Sequence, residues 1–244
     1  MKEQDRRRAI GLRLAAMTGP GAAILPTGFA ALDRALGGGF PRGRIAELFG
    51  PTSGKTTLAL QIAAHVQSRG AVAWIDADRT FDAAWAAKLG VALDRLPVVQ
   101  PESAEQAMEI ACRLAASGGL ELLVVDSAAA LTPRVELDAG IGDSGPSLYS
   151  RAMASGLRKL AMALGRAGIP ALFLNQVRTR TAPTGALSET SAGGPPLKLY
   201  AAVRISVVPS GSHRVRFRVL KNRAAGIAEG ELEWVPGAGF AGSA

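Results

Sequence analysis

The chain has 244 residues, of which 48% are hydrophobic and 20% charged, a composition typical of a globular protein. It contains one cysteine, Cys112, so no internal disulfide can form. No apolar stretch approaches the roughly 18 residues of a membrane span, and the charged start lacks the apolar core of a signal peptide. These features argue against a membrane-spanning or disulfide-stabilised secreted protein and predict a cytoplasmic one.

The net charge of +8 is unevenly distributed along the chain. The segment from Arg151 to Arg223 contains thirteen Lys or Arg and a single acid, Glu189, which gives it a formal charge of +12. A basic segment of this kind indicates a polyanionic partner such as nucleic acid. The alternative is a solvated basic surface in a composition that favours Arg.

The first predicted elements are two short helices. Residues 2–17 resemble a basic helix that ends at Gly19-Pro20-Gly21, and Thr27–Leu36 resembles a second helix closed by three glycines. We therefore divide the chain into a basic amino-terminal helix and linker, residues 1–25, and a core, residues 26–244.

Strands alternate with helices through the middle of the chain, which predicts a mostly parallel, twisted α/β sheet flanked by helices. The predicted strands and helices are, in order, Ile45–Phe49, Thr56–Ser68, Ala71–Ile75, Phe81–Leu89, Val98–Val99, Ala104–Ala116, Leu122–Val125, Ser147–Leu164 and Ala171–Leu174. The last third instead predicts antiparallel strands at the carboxy-terminal edge, over Val203–Val208, Arg214–Leu220 and Glu231–Val235.

Two stretches rich in Gly, Pro, Ser and Thr are predicted to be loops. They are Asp138–Ser147 and Arg178–Pro196, and both follow strand segments. Long loops in a compact α/β domain are usually functional or disordered. Open α/β folds bind their ligands at the edge where such loops emerge.

The segment after the first core strand has the pattern of a phosphate-binding loop. Its residues are Gly50, Pro51, Thr52, Ser53, Gly54, Lys55, Thr56 and Thr57. A strand, a glycine loop and a helix direct backbone N–H groups and the helix dipole at an anion, Lys55 adds a charge, and Thr56 can hold Mg²⁺. We therefore expect ATP or ADP with Mg²⁺ to bind here. The loop is one residue shorter than usual, because only three residues separate Gly50 from Gly54.

A second motif supports a nucleotide site. Residues 120–126 form an apolar run that ends in a carboxylate, Asp126, as expected for a buried parallel strand. Asp126 can hold the Mg²⁺ water shell opposite Thr56. An ordinary glycine turn and an unrelated surface Asp would not explain why the two motifs occur together.

Seven blocks in order resemble the RecA family of recombinases, from about Pro26 to Phe240. They are the phosphate loop; Trp74-Ile75-Asp76-Ala77-Asp78; Leu123 to Pro133; Ile141-Gly142-Asp143-Ser144; Leu174-Asn175-Gln176-Val177-Arg178; Gly193-Gly194 with Leu197-Lys198-Leu199-Tyr200; and Lys221-Asn222-Arg223. The resemblance implies an ATP-binding core with two loops that contact single-stranded DNA.

The resemblance also assigns roles to individual positions. Gln176 would sense the γ-phosphate and signal to the loop that begins at Arg178, Trp85 would stack on adenine, and Lys221 and Arg223 would reach phosphates bound by a neighbouring subunit. Alternatively, Trp85 is simply an aromatic residue of the core, and Lys221 and Arg223 are solvated surface charges. The candidate DNA-binding residues are Arg151, Arg158, Arg178, Arg180, Gly193, Gly194 and Lys198.

The chain departs from the family at several of these sites. The catalytic Glu of the family is Asp78 here, and a carboxylate displaced by about 1 Å can cost about 10²-fold in rate. The apolar residues that separate DNA bases correspond to Pro146 and Thr181, and a backbone-contacting Asn corresponds to Pro195. We expect the family's carboxy-terminal domain to be absent, because the sequence stops just past the core. We expect weak hydrolysis, with Lys55, Asp78 and Gln176 as the catalytic candidates.

Three functions are consistent with this pattern. The first is an ATP-binding accessory or regulator in DNA repair, similar to the ImuA-type proteins of SOS mutagenesis, with single-stranded DNA, a full-length recombinase or translesion polymerase components as partners. The second is a minimal DNA-dependent ATPase that forms filaments and exchanges strands. The third is an interaction scaffold without ATPase activity. The retained nucleotide residues and the altered loops favour the first.

Overall fold

Helices and strands alternate along the chain, as predicted. The computed structural model describes residues 24–139, 146–181, 187–192, 194–223 and 225–242; at 146–147, 179–181 and 187–190 it describes the backbone alone. The strands are β1 (Ile24–Leu25), β2 (Phe40–Pro41), β3 (Ile45–Gly50), β4 (Ala71–Asp76), β5 (Val98–Val99), β6 (Leu120–Asp126), β7 (Ala171–Thr181), β8 (Leu187–Ser191), β9 (Ala201–Pro209), β10 (Arg214–Asn222), β11 (Glu229–Val235) and β12 (Gly239–Phe240). The helices are α1 (Ala30–Leu36), α2 (Lys55–Val66), α3 (Ala83–Lys88), α4 (Ala104–Ala116), α5 (Arg134–Leu137), α6 (Pro146–Ala167) and α7 (Pro195–Tyr200).

Most of the strands form one large sheet. Its order is β12-β11-β10-β9-β3-β7-β6-β4-β5, and β8 pairs with the outer part of β7. The pairs from β9 to β5 are parallel, whereas the carboxy-terminal strands β9 to β12 pair antiparallel. This confirms the predicted fold class. Strands β1 and β2, which sequence patterns did not reveal, form a separate two-stranded antiparallel sheet.

The sheet separates two apolar cores. Successive residues of β6 point to opposite faces, so Leu122 and Val124 join one core and Leu123 and Val125 the other. Buried residues of α1, α2 and α3 belong to the first core, and those of α4 and α6 to the second. With helices on both faces, the central strands are mostly apolar on both sides, which explains the apolar runs in the sequence.

The prediction of a loop over Arg178–Pro196 is largely wrong. Strand β7 continues to Thr181, β8 pairs with it antiparallel from Leu187 to Ser191, and α7 begins at Pro195. Alternating β-branched residues at Val177, Thr179 and Thr181 favour an extended chain, which outweighs the loop-like composition. The other predicted loop, Asp138–Ser147, overlaps helix α6 at its last two residues, because the helix begins at Pro146. The predicted helix over residues 2–17 lies outside the described residues.

A buried ion pair ties three strands together behind the phosphate loop. Glu47 of β3 is fully buried, and its carboxylate lies 2.5 Å from Nε of Arg204 on β9. The same carboxylate accepts a hydrogen bond from Nδ2 of Asn175 on β7 at 2.9 Å. Arg204 also donates to Oγ of Ser191 at 3.1 Å and lies over the Phe49 ring at 4.8 Å. Each polar group in the network is therefore satisfied, as a buried charge requires.

We expect Arg204→Ala to lower the free energy of unfolding by about 3–5 kcal/mol, because it leaves the Glu47 carboxylate buried without its cation. Urea denaturation at neutral pH measures this loss. The matched control is Arg218→Ala, since the Arg218 side chain is 56% exposed and its pair with Glu229 is worth about 0–1 kcal/mol. Losses of similar size in the two variants would contradict the assigned importance of the buried pair.

Candidate functional site

The phosphate loop requires glycine at both ends. It connects β3 to α2, and Gly54, the residue before the helix, has φ +76° in the left-handed region. A Cβ atom on Gly54 would lie 3.0 Å from Cζ of Phe240, and one on Gly50 would lie 1.9 Å from the carbonyl oxygen of Val207. The first turn of α2 has no side-chain cap, so its N–H groups point toward the loop.

Lys55 places its ammonium inside the loop. Its Nζ donates to the carbonyl oxygen of Gly50 at 2.9 Å and to that of Pro51 at 2.6 Å. Burial lowers the pKa of Lys55, while the nearby carboxylates of Asp126 and Asp78 act in the opposite direction. A cation, a helix amino terminus and a glycine loop thus converge on one point, and this donor set fits a phosphate group.

The two sequence motifs meet in the structure. The hydroxyl of Thr56 donates to Oδ2 of Asp126 at 3.0 Å. Burial raises the pKa of Asp126 to about 6, and the Asp78 and Asp76 charges add to this, whereas the Thr56 hydrogen bond and Lys55 oppose it. A hydroxyl and a carboxylate at this spacing fit a Mg²⁺ ion that takes its other ligands from phosphate and water.

Asp78 lies beside this pair and is held by the segment that follows β6. The carbonyl of Asp126 accepts a hydrogen bond from the Asp78 backbone N–H at 3.1 Å. The hydroxyl of Ser127 donates to Oδ1 of Asp78, also at 3.1 Å. Asp76 fixes the turn that follows, because its carboxylate accepts from the backbone N–H groups of Thr80 and Phe81. Asp78 is therefore a positioned carboxylate at the edge of the site.

Gln176 lies next to the phosphate loop. In the register of β3 and β7 it is opposite Gly50, and its side chain is exposed. Its backbone N–H donates to Oδ1 of Asn175 and its carbonyl accepts from Ala192 N–H, so the base of the β7–β8 hairpin is anchored at this residue. The structure thus places Gln176 beside the start of the phosphate loop.

Trp85 is bound to the helix of the phosphate loop. Its Nε1 donates to the hydroxyl of Thr57 at 3.1 Å, and Nζ of Lys88 lies 5.6 Å from its ring centre. Asp82 caps α3 by accepting from the Trp85 backbone N–H at 2.9 Å. The aromatic ring is therefore half-buried, packed against the first core and bonded to the helix that follows the phosphate loop.

Lys221 and Arg223 lie away from the phosphate loop of their own chain. Lys221 is level with Arg204 and Glu47 in the sheet register, so it is near the start of β3 rather than its end. Its Nζ donates to the carbonyls of Lys198 and Leu199 at the end of α7. Burial lowers the pKa of Lys221, and the charges of Arg223 and Arg204 add to this.

The candidate DNA-binding residues lie on elements that adjoin one another. Arg151 and Arg158 are exposed on α6, Arg178 is exposed on β7, and Lys198 lies on α7, which packs against α6. Gly194 brings the starts of these two helices close, since a Cβ there would lie 3.1 Å from Oγ of Ser150. Gly193 and the Arg180 side chain lie outside the described part of the chain.

The arginines of β10 form ion pairs across the strand. Arg214 and Arg216 lie 3.4 and 3.7 Å from the Glu231 carboxylate, and Arg218 lies 3.0 Å from that of Glu229. These arginines share one face, as the alternation with apolar residues predicts. Much of their charge is matched by β11, so this face is a poor candidate for the polyanion surface.

Several residues of the site were not singled out from the sequence. Ser127 donates to Asp78, Asn175 to the Ala192 carbonyl and Tyr149 to the Ala128 carbonyl, and the sequence assigned no role to these three residues because such contacts carry no pattern of their own. Glu47 did carry a signal, because a charge inside the apolar run Ile45–Phe49 demands a buried partner.

Within the described residues, no cluster of three or more His, Cys, Asp or Glu side chains is placed to hold a metal ion. Two protein groups suffice for Mg²⁺ when phosphates supply the remaining ligands. Among the described helices, none has the length and apolar character needed to cross a membrane.

Comparison with known proteins identifies the family. The family described as RecA N-terminal domain matches residues 8–229. This chain belongs to the RecA family. Protein RecA of Thermus thermophilus is 44% identical over 98% of this chain and 74% of its own length. Protein RecA of Cutibacterium acnes is 48% identical over 83% of this chain and 62% of its own length. Protein RecA of Bifidobacterium breve is 46% identical over 83% of this chain and 55% of its own length.

Binding of a Mg²⁺–nucleotide to this RecA-family chain should weaken as the pH falls through about 6. Asp126 must be ionised to hold Mg²⁺, so at pH 5 the affinity should be about ten-fold lower than at pH 7.5. The stability contribution has the opposite sign. Because the folded pKa lies above the ordinary 3.8, the free energy of unfolding falls as the pH rises from about 4 to about 6.

Titration of a fluorescent nucleotide at several pH values measures the binding effect, with Asp126→Asn as the control. The variant should bind Mg²⁺–nucleotide weakly and with little dependence on pH in this range. A wild-type affinity that does not change between pH 7.5 and 5 would contradict the assignment of Asp126 as a Mg²⁺ ligand.

Proposed function

We propose that this RecA-family protein binds ATP or ADP with Mg²⁺ at the site formed by residues 50–57 and Asp126. The observation that carries the proposal is the 3.0 Å hydrogen bond between Thr56 and Asp126, which joins the phosphate loop to the end of β6. A surface carboxylate and an unrelated glycine turn would have no reason to meet. The nucleotide supplies the phosphate oxygens that complete the Mg²⁺ coordination.

The other residues take roles that follow from their positions. Lys55 and the N–H groups at the start of α2 hold the phosphates, and Trp85 offers a ring face to the base. Gln176, opposite Gly50, is placed to respond to the terminal phosphate and to shift the hairpin that begins at Arg178. Lys221 is level with Glu47 rather than with Gly50 in the sheet register, which supports contact of Lys221 and Arg223 with a nucleotide held by a second copy of the chain.

Hydrolysis should be slow. Asp78 is one methylene shorter than a glutamate, so its carboxylate is withdrawn from the attacking water. The one-residue shortening of the phosphate loop acts in the same direction, because it leaves fewer N–H groups around the phosphates.

We assign the protein to DNA repair as an accessory or regulator of a recombinase or of translesion DNA synthesis, one that also binds single-stranded DNA. The exposed arginines of α6, together with Arg178 two residues after Gln176 on β7, favour DNA as a partner. The substitutions at Asp78 and in the DNA loops favour an accessory role over strand exchange. A DNA-dependent recombinase is the second candidate, and the 44–48% identity to proteins named RecA favours it.

The Asp78→Glu variant should hydrolyse ATP about ten-fold or more faster than the wild type, because the longer side chain advances the carboxylate toward the water. Steady-state phosphate release measures the rate, and Lys55→Ala, which removes the phosphate-binding charge, provides the blank. Asp94→Glu is the matched control, since Asp94 is exposed in a short turn. Equal rates in the wild type and Asp78→Glu would assign the slow step to the shortened loop.

Affinity for a single-stranded oligonucleotide should fall steeply with salt, by about ten-fold or more between 50 and 200 mM, if several arginines contact phosphates. Fluorescence anisotropy measures this, and Arg151→Ala with Arg178→Ala should reduce the salt dependence. Arg214→Ala with Arg218→Ala is the control, because these arginines are paired with glutamates. An affinity that does not change with salt would indicate that the basic surface binds a protein rather than DNA. Strong stimulation of ATP turnover by the oligonucleotide would instead favour the recombinase function.

A further inference from the structure

Tyr149 joins the start of α6 to the segment that follows β6. It lies in the first turn of that helix, and its hydroxyl donates to the carbonyl oxygen of Ala128 at 2.6 Å. The ring is half-buried and packs against the core that α4 and α6 cover. Burial raises the pKa of the Tyr149 hydroxyl, so it keeps its proton and acts as a donor at neutral pH.

The acceptor is one residue from the group that holds Asp78. Ala128 follows Ser127, whose hydroxyl donates to Oδ1 of Asp78 at 3.1 Å. The carbonyl of Asp126 accepts from the backbone N–H groups of Ala77 and Asp78 at 2.6 and 3.1 Å. Residues 126–128 therefore hold Asp78 through its backbone and its side chain, and Tyr149 holds residues 126–128 from the helix.

Tyr149 connects the first turn of α6 to the segment that follows strand β6. The turn at Ala128–Ala130, which accepts the Tyr149 hydrogen bond, contacts β7, so this bond connects the start of α6 to a strand of the site. Ser150, the neighbour of Tyr149, adjoins Gly194 at the start of α7. One short hydrogen bond therefore links the first turn of α6 to the turn at 127–130.

We propose that Tyr149 is a positioning residue for the Asp78 carboxylate, because its hydroxyl anchors the turn whose Ser127 holds that carboxylate. The inference rests on the proposed nucleotide-hydrolysing function and extends that site to the first turn of α6. Tyr149 touches neither nucleotide nor water in this role; it acts through Ser127.

The variant Tyr149→Phe removes the hydroxyl and keeps the ring. We expect kcat for ATP to fall about five- to twenty-fold, because the Asp78 carboxylate needs sub-ångström placement. KM should stay within about two-fold of the wild-type value. The melting temperature should change by no more than about 2 °C, because a single hydrogen bond contributes little net stability. Tyr200→Phe, the same change at the other tyrosine, is the matched control and should leave kcat unaltered. An unchanged kcat in Tyr149→Phe would overturn the proposal.

A double-mutant cycle with Ser127→Ala separates positioning from a general structural role. If Tyr149 acts through Ser127, the double variant should have a kcat less than two-fold below that of Ser127→Ala alone. A further loss as large as in the wild-type background would overturn the proposed route and assign Tyr149 an independent effect.

Amide hydrogen exchange tests the same contact without turnover. The amides of residues 127–131 should exchange about five-fold faster in Tyr149→Phe than in the wild type and in Tyr200→Phe. If the wild type releases phosphate no faster than Lys55→Ala, the hydrolytic part of the proposed function fails. Exchange then decides the inference: faster exchange supports the anchor and equal exchange overturns it.

Discussion

The buried carboxylate of Glu47 constrains the centre of this fold. A fully buried charge is tolerated only when its partners are in place, and here they come from two neighbouring strands, through Arg204 on β9 and Asn175 on β7. The register of β3 against both neighbours is therefore specified by a polar requirement in addition to the apolar pattern. Because Gly50 ends β3, the same register decides where the phosphate loop begins and that Gln176 lies beside it.

The site then assembles from strand ends that meet at one edge. Asp126 and Asp76 are paired in the register of β6 and β4, and the segments that follow these strands are linked by hydrogen bonds to the Asp126 carbonyl. Asp126 and Gln176 are thus fixed by strands, whereas Lys55 and Thr56 are fixed by the first turn of α2. The Asp126 carboxyl, desolvated and near two other acids, is in turn sensitive to the charge that a bound Mg²⁺ would bring.

Sequence patterns predicted the parts of this structure that depend on local chemistry. The strand–loop–helix at residues 45–66 and the apolar strand ending at Asp126 carry strong signals, because buried parallel strands and glycine loops have distinctive compositions. The β7–β8 hairpin was missed, since its pairing depends on contacts between backbones separated by a loop-like sequence. Ser127 and Tyr149 were missed because a hydroxyl that bonds to a distant carbonyl or carboxylate leaves no periodic trace.

The packing of Phe240 against the phosphate loop has a consequence for how the chain unfolds. The backbone N–H and carbonyl of Phe240 are both bonded to the Gln61 side chain on α2, and the ring closes over Gly54. The last strands therefore cannot detach without loosening the helix that starts at the loop. Strands β11 and β12 and helix α2 should open as one cooperative unit, so a ligand that steadies the loop would also slow proteolysis of the carboxy-terminal edge.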